Sequence, residues 1–106
     1  MCGIVGLICA DPPEQLARRV AAMNGAILHR GPDDDGVHLA PGLALAMRRL
    51  AIIDLSTGHQ PMKTPDGVTI VFNGEIYNYR ALRAELEAKG YAFHTRSDTE
   101  VILNLY

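Results

Sequence analysis

Apolar positions along the chain change period several times, and each change marks an element. Residues 3–9 are an almost unbroken Ile/Val/Leu run, the mark of a buried strand. Asp11-Pro12-Pro13 breaks the run and opens a helix, proline being tolerated in a first turn. Through to about residue 28, Leu16, Val20, Met23 and Ile27 recur at spacings of four and three, which is one apolar helix face turned to a core. Residues 29–36 are a loop by composition, and a short strand is expected over 37–40. Pro41-Gly42 turns the chain into a long strand over 43–53, with Arg48 and Arg49 embedded in it. Residues 56–61 read as loop, Pro65-Asp66-Gly67 as a turn, and 68–72 as a strand that ends at Asn73-Gly74-Glu75. Asn78 suits the N-cap of a helix over 79–89, closed by Gly90. A strand over 91–95 follows, and the capping-box spacing of Ser97 and Glu100 opens a last helix over 99–106. That helix is apolar and uncapped at Tyr106, which points to a fragment of a longer chain.

Composition narrows the function classes. At 106 residues and 48% hydrophobic, the chain makes one globular domain with a modest core. A net charge of −2 with scattered basic residues argues against a nucleic-acid or anionic-membrane partner. No apolar run is long enough to span a bilayer, and residues 3–10 lack the basic flank of a secretory signal. Cys2 and Cys9 lie seven positions apart on one strand, so their side chains take opposite faces, out of disulfide reach. Two free thiols imply a reducing compartment, hence the cytoplasm. Cys9 suits a small buried apolar position.

Four positions carry candidate chemistry. Removal of Met1 would put a thiol and a free α-amine on Cys2; these groups titrate near ~8.5 and ~8, so the amine can serve as base for its own thiol. Asn73-Gly74 closes a strand. Its plainer local reading is a turn, but an Asn amide and a Gly N–H can also converge on one oxyanion. Arg48 and Arg49 must face opposite sides of their strand, so one of them turns to the core or a cleft and seeks a carboxylate, from a substrate or from a structural Asp. Asp98, at a helix start, is a dipole or capping partner by default and a ligand for a substrate ammonium otherwise. The four histidines have no metal-like spacing, and Asp33-Asp34-Asp35 lacks the rest of a calcium loop. There is no Cys-x-x-Cys motif and no glycine-rich phosphate loop.

Six ordered stretches together carry a resemblance: Met1-Cys2-Gly3-Ile4-Val5-Gly6, His29-Arg30-Gly31-Pro32-Asp33, Arg49-Leu50-Ala51-Ile52-Ile53-Asp54, Gly58-His59-Gln60-Pro61-Met62, Phe72-Asn73-Gly74-Glu75-Ile76-Tyr77-Asn78 and Ser97-Asp98-Thr99-Glu100. The whole chain resembles the N-terminal glutaminase domain of class II glutamine amidotransferases, and within them that of the glutamine-hydrolysing asparagine synthetases. The resemblance implies an α+β fold, part of a four-layer α/β/β/α sandwich of two antiparallel sheets. It makes residues 1–106 the N-terminal part of that domain, with the synthetase domain absent from this chain. Cys2 would attack the side-chain amide of glutamine, with its amine as base, and Asn73 and the Gly74 N–H would form the oxyanion hole. Arg49 would hold the substrate carboxylate and Asp98 its ammonium, with Glu75 helping; Leu50, Ile52 and Ile53 would line the pocket by their backbone. The His29–Asp33 stretch would shape the region near Cys2. The implied partners are glutamine, the synthetase domain and, as one allowed assembly, a second copy in a homodimer. ATP and Mg would belong to the synthetase domain, with no cofactor in this chain. Three other readings stay open: an inactive fragment, an amidotransferase of hexosamine or phosphoribosyl type, and a small thiol protein with redox function.

Overall fold

The computed structural model describes residues 1–50 and 58–106. They form an α+β fold of two small antiparallel sheets and three α-helices. The first sheet contains β1 (Gly3–Ile8), β2 (Asp34–Ala40) and β3 (Leu43–Arg49), in the order β1-β3-β2. The second pairs β4 (Met62–Lys63) with β5 (Thr69–Ile70). The helices are α1 (Pro13–Ala26), α2 (Tyr79–Ala88) and α3 (Thr99–Leu105).

The β2–β3 hairpin turns at Pro41-Gly42, where Gly42 takes a φ of 73° that a side chain would strain. From that turn the register runs Ala40↔Leu43 to Asp34↔Arg49, so β2 starts three residues before the apolar pattern predicts. On the other side β1 runs from Ile8↔Leu43 to Gly3↔Arg48, and Cys9 leaves the ladder by donating to the Gly42 carbonyl. Alternation then places Val5 and Ala46 on the face that α1 covers. The core is Val5, Leu16, Val20, Ala44 and Ala46, with Leu7, Cys9 and Ile27 packed against it. Ala44 and Ala46 are fully buried, and their small side chains let the helix lie close to the sheet. Leu16, Val20 and Ile27 of the predicted α1 face meet the core, but Met23 is exposed and Asn24 is buried in its place. Asn24 sits under the sheet's polar end, where its carbonyl accepts from Arg48 Nε and its amide reaches Asp35. At the other end, Arg19 pairs with Asp11 and holds that carboxyl below its usual range. This pair therefore braces the strand-to-helix corner at neutral pH and weakens as the pH falls through that lowered value.

Several expected elements differ in extent. Helix α1 stops at Ala26, and a 3-10 turn, Leu28–Arg30, follows. β3 ends at Arg49, and the remainder of the strand expected over 43–53 runs into residues outside those described. The strand expected over 68–72 pairs only at Thr69–Ile70. No strand forms over 91–95, because its backbone groups find partners elsewhere. Tyr91 N–H goes to the Leu86 carbonyl, Asn104 takes the Ala92 carbonyl, Arg83 takes that of Thr95, and Glu100 takes the N–H groups of His94 and Thr95. Several of the segment's donors and acceptors are thus met outside any ladder, most of them by side chains. Gly90 closes α2 as expected, with a φ of 94°. Asn78 precedes α2 without a side-chain capping bond. The capping box at α3 is only half formed. Ser97 Oγ accepts from Thr99 N–H, but Glu100 reaches past Ser97 to His94 and Thr95.

Glu100 is buried, and its carboxylate takes two backbone N–H groups at 2.8 Å and the Thr95 hydroxyl at 2.5 Å. Glu100→Ala should cost about 2 kcal/mol in denaturant unfolding and remove the hydrogen-exchange protection of the His94 and Thr95 amides. Unchanged protection at those two amides would show that the loop is held by other contacts.

Candidate active site

A cleft of about 610 Å³ opens beside the Cys2 end of the first sheet, within the roughly 300–1,000 Å³ usual for small-molecule sites. Its walls come from the start of β1, the end of β3, the 58–60 and 72–79 segments, and the loop before α3.

Cys2 stands one residue outside β1, opposite the end of β3. Its Sγ accepts from the Leu50 N–H at 3.4 Å and lies 3.8 Å from the Leu50 carbonyl. The Cys2 carbonyl is held from two sides, by Asn73 Nδ2 at 3.0 Å and Arg30 Nε at 3.3 Å. An Asn amide has two N–H bonds, so the one spent on Cys2 fixes the side chain and the other can serve an incoming oxygen. Gly74 follows directly. A Cβ there would press to 2.8 Å from the Phe72 ring, so the chain crosses that ring only as glycine.

The two arginines divide as strand geometry demands. Arg48 turns to α1, with Nε on the Asn24 carbonyl and the guanidinium 3.9 Å from Asp35. Arg49 turns to the cleft and lies flat against Gly58, where a Cβ would collide with the guanidinium. Asp98 also lines the cleft, and one of its oxygens accepts from the Ile76 N–H at 2.9 Å. That bond gives Asp98 a structural task, tying the segment after Asn73 to the start of α3. Glu75 lines the same wall. Of the residues expected to line a pocket, Cys2, Arg49, Leu50, Asn73, Gly74, Glu75 and Asp98 all do so, whereas Ile52 and Ile53 lie outside the described residues.

Sequence reasoning missed two residues that build this site. Arg30 reaches the Cys2 carbonyl because the 3-10 turn delivers it there, and Gly31 then lets the chain lie directly on the backbone of Arg48 and Arg49. Asp33 N–H completes that contact on the Arg49 carbonyl. The signal was the His29–Asp33 stretch, expected to shape the region near Cys2 but with no role for Arg30 itself. The other is Gln60, whose buried amide bonds to Phe72 and Thr99. The cleft thus gathers a thiol, amide donors beside it, a guanidinium and carboxylates. That set suits acyl transfer from a small substrate bearing both a carboxylate and an ammonium. Among the described residues no cluster of His, Cys, Asp and Glu suits a metal ion, and no helix is long and apolar enough to cross a membrane.

Comparison with known proteins agrees with this chemistry. The glutamine amidotransferase domain family matches residues 1–106. The chain is 50% identical to asparagine synthetase (glutamine-hydrolyzing) 1 of Bacillus subtilis (strain 168), over all of this chain and 17% of that protein. It is 42% identical to asparagine synthetase (glutamine-hydrolyzing) 3 of Arabidopsis thaliana and to the root asparagine synthetase of Pisum sativum, over all of this chain and 18% of each. The chain therefore spans less than a fifth of the length of these relatives.

Gly58→Ala should push the Arg49 guanidinium out of place and weaken binding of an amino-acid carboxylate roughly tenfold by calorimetric titration, while Cys2 still reacts with iodoacetamide. Equal affinity in the variant would remove Arg49 from the ligand site.

Proposed function

This chain belongs to the glutamine amidotransferase domain family, and from that premise we propose that it carries out the glutaminase half of an amidotransferase, hydrolysing glutamine to glutamate and ammonia. The observation that carries the reading is the Cys2 thiol set on the Leu50 N–H beside Asn73-Gly74, in one cleft with Arg49 and Asp98. After removal of Met1, the Cys2 amine takes the thiol proton as sulfur attacks the side-chain carbonyl carbon of glutamine. The second N–H of Asn73 and the Gly74 N–H receive the oxyanion. The amine then returns the proton to the departing nitrogen, and ammonia leaves a γ-glutamyl thioester. Water attacks the thioester, glutamate departs, and the thiol is restored. Arg49 holds the substrate α-carboxylate; Asp98 and Glu75 hold its α-ammonium. Leu50 contributes backbone wall.

The likeness to the asparagine synthetases supports aspartate as the ammonia acceptor, in an ATP-dependent step carried by a synthetase domain beyond residues 1–106. The sequence has no glycine-rich phosphate loop for ATP, and among the described residues no cluster of His, Cys, Asp and Glu suits Mg. We place 1–106 in a four-layer α/β/β/α sandwich, supported by one sheet face covered by α1 and an opposite face on which Ile4 and Ile8 stand exposed. A cytoplasmic location is proposed on the two free thiols, one of which the reaction needs reduced.

In the intact protein, Cys2→Ala should abolish glutamine-dependent ammonia release and the adduct formed with an electrophilic glutamine analogue. Asn73→Ala should lower kcat roughly 10²–10³-fold with Cys2 still alkylated by iodoacetamide. Ammonia release retained in Cys2→Ala would sink the mechanism.

A further inference from the structure

Gln60 is buried, yet nothing in the glutaminase chemistry above uses it. Its side-chain amide makes three hydrogen bonds, and they go to two segments that the cleft draws on. Oε1 accepts from the Phe72 N–H at 2.6 Å, and Nε2 donates to the Phe72 carbonyl at 3.2 Å. Together these occupy both backbone groups of Phe72, as an antiparallel strand would, one residue before Asn73. Nε2 also lies 3.3 Å from Thr99 Oγ1, on the residue after Asp98. The backbone behind the side chain is fixed as well. Gly36 of β2 packs so closely on the Gln60 carbonyl that a Cβ there would overlap it.

A planar amide offers a donor and an acceptor in one rigid plane, and glutamine carries it far enough to reach Phe72 from the 58–61 segment. Neither a carboxylate nor an apolar side chain can satisfy both groups of Phe72 at once. The bond from Ile76 N–H to Asp98 joins the same two segments on the far side of Asn73-Gly74-Glu75. Gln60 before this stretch and Asp98 after it therefore bracket the three residues that the reaction uses there.

We propose that Gln60 is a positioning residue for glutamine hydrolysis: its amide sets the spacing between the oxyanion donors at Asn73-Gly74 and the ammonium partner Asp98. The inference rests on the glutaminase reading above. Loss of the amide frees Phe72 to shift, and a displacement of about 1 Å at a reacting centre costs up to about a hundredfold in rate. The thiol itself bonds to the Leu50 peptide, while Arg30 and Asn73 hold the Cys2 carbonyl, and the three bonds of the Gln60 amide go to neither group.

The test compares two electrophiles on the intact protein, with the modified cysteine identified by peptide mass. The diazoketone analogue of glutamine needs the assembled pocket, whereas iodoacetamide needs only a reactive Cys2. Gln60→Met conserves volume and removes all three bonds. It should slow analogue labelling and lower kcat/KM for glutamine roughly ten- to a hundredfold, with iodoacetamide labelling of Cys2 and cooperative melting retained. Thr99→Val removes only the bond towards Asp98 and should raise KM with kcat kept. Wild-type labelling rates in Gln60→Met would overturn the proposal, as would a parallel fall with both reagents. So would loss of cooperative melting in Gln60→Met together with wild-type kinetics in Thr99→Val. A wild-type protein that forms no analogue adduct would instead overturn the glutaminase reading, and this inference with it.

Discussion

Gly3 lies opposite Arg48, and Arg48 lies opposite Asp35. That register is the constraint on which the site depends. It ends the ladder of β1 so that Cys2 meets Leu50, and it turns Arg49 to the cleft while Arg48 faces α1. Side chains alternate along a strand, so a slip of one residue would exchange the two arginines. Arg49 would then point into the helix layer, and the sulfur would lose the peptide that holds it. Two features resist a slip. The tight Pro41-Gly42 turn leaves the β2–β3 hairpin one pairing, and the alanines at 44 and 46 must lie under α1, where nothing larger fits.

The helix layer does more than cover a core. α1 brings Asn24 under the polar end of the sheet, where its carbonyl absorbs Arg48. The chain leaving α1 then tightens into the 3-10 turn, crosses the end of β3 at Gly31, and carries Arg30 to the Cys2 carbonyl on the way. Packing and chemistry thus share one path. The same contact that closes the end of the sheet also sets the nucleophile.

Local pattern was enough for elements whose stability is periodic. The strands at 3–8 and 43–49, all three helices, and the glycine stops at 42 and 90 follow from spacing and backbone chemistry. Pattern failed where a side chain takes the place of a backbone partner. Residues 91–95 carry strand composition, but Glu100, Arg83 and Asn104 claim their polar groups. Phe72 lies beyond the Thr69–Ile70 ladder, and Gln60 occupies both of its backbone groups. Such substitutions depend on particular side chains five to twelve positions away, and no short-range periodicity encodes them. The site divides in the same way. Cys2, Asn73, Gly74, Arg49 and Asp98 could be named from residue type and motif, whereas Arg30 and Gln60 act through the backbone of other residues and leave no pattern of their own.

In the reaction proposed, Cys2 becomes a nucleophile at a chain end, which poses a mechanical problem that an internal residue does not. Nothing covalent restrains it on one side, and terminal residues fray unless they are tied down. The thiol rests on the Leu50 peptide, but the proposed reaction needs both it and the amine available, so the firmer anchors must act elsewhere on the residue. The carbonyl is the remaining polar group of the residue, and it carries the anchors, one from Arg30 and one from Asn73. Using Asn73 for this purpose also couples the position of the nucleophile to that of the oxyanion donor, since one amide serves both. The distance between attacking sulfur and stabilising donor is then set within a single hydrogen-bonded unit, and the rest of the fold need only hold that unit against Leu50.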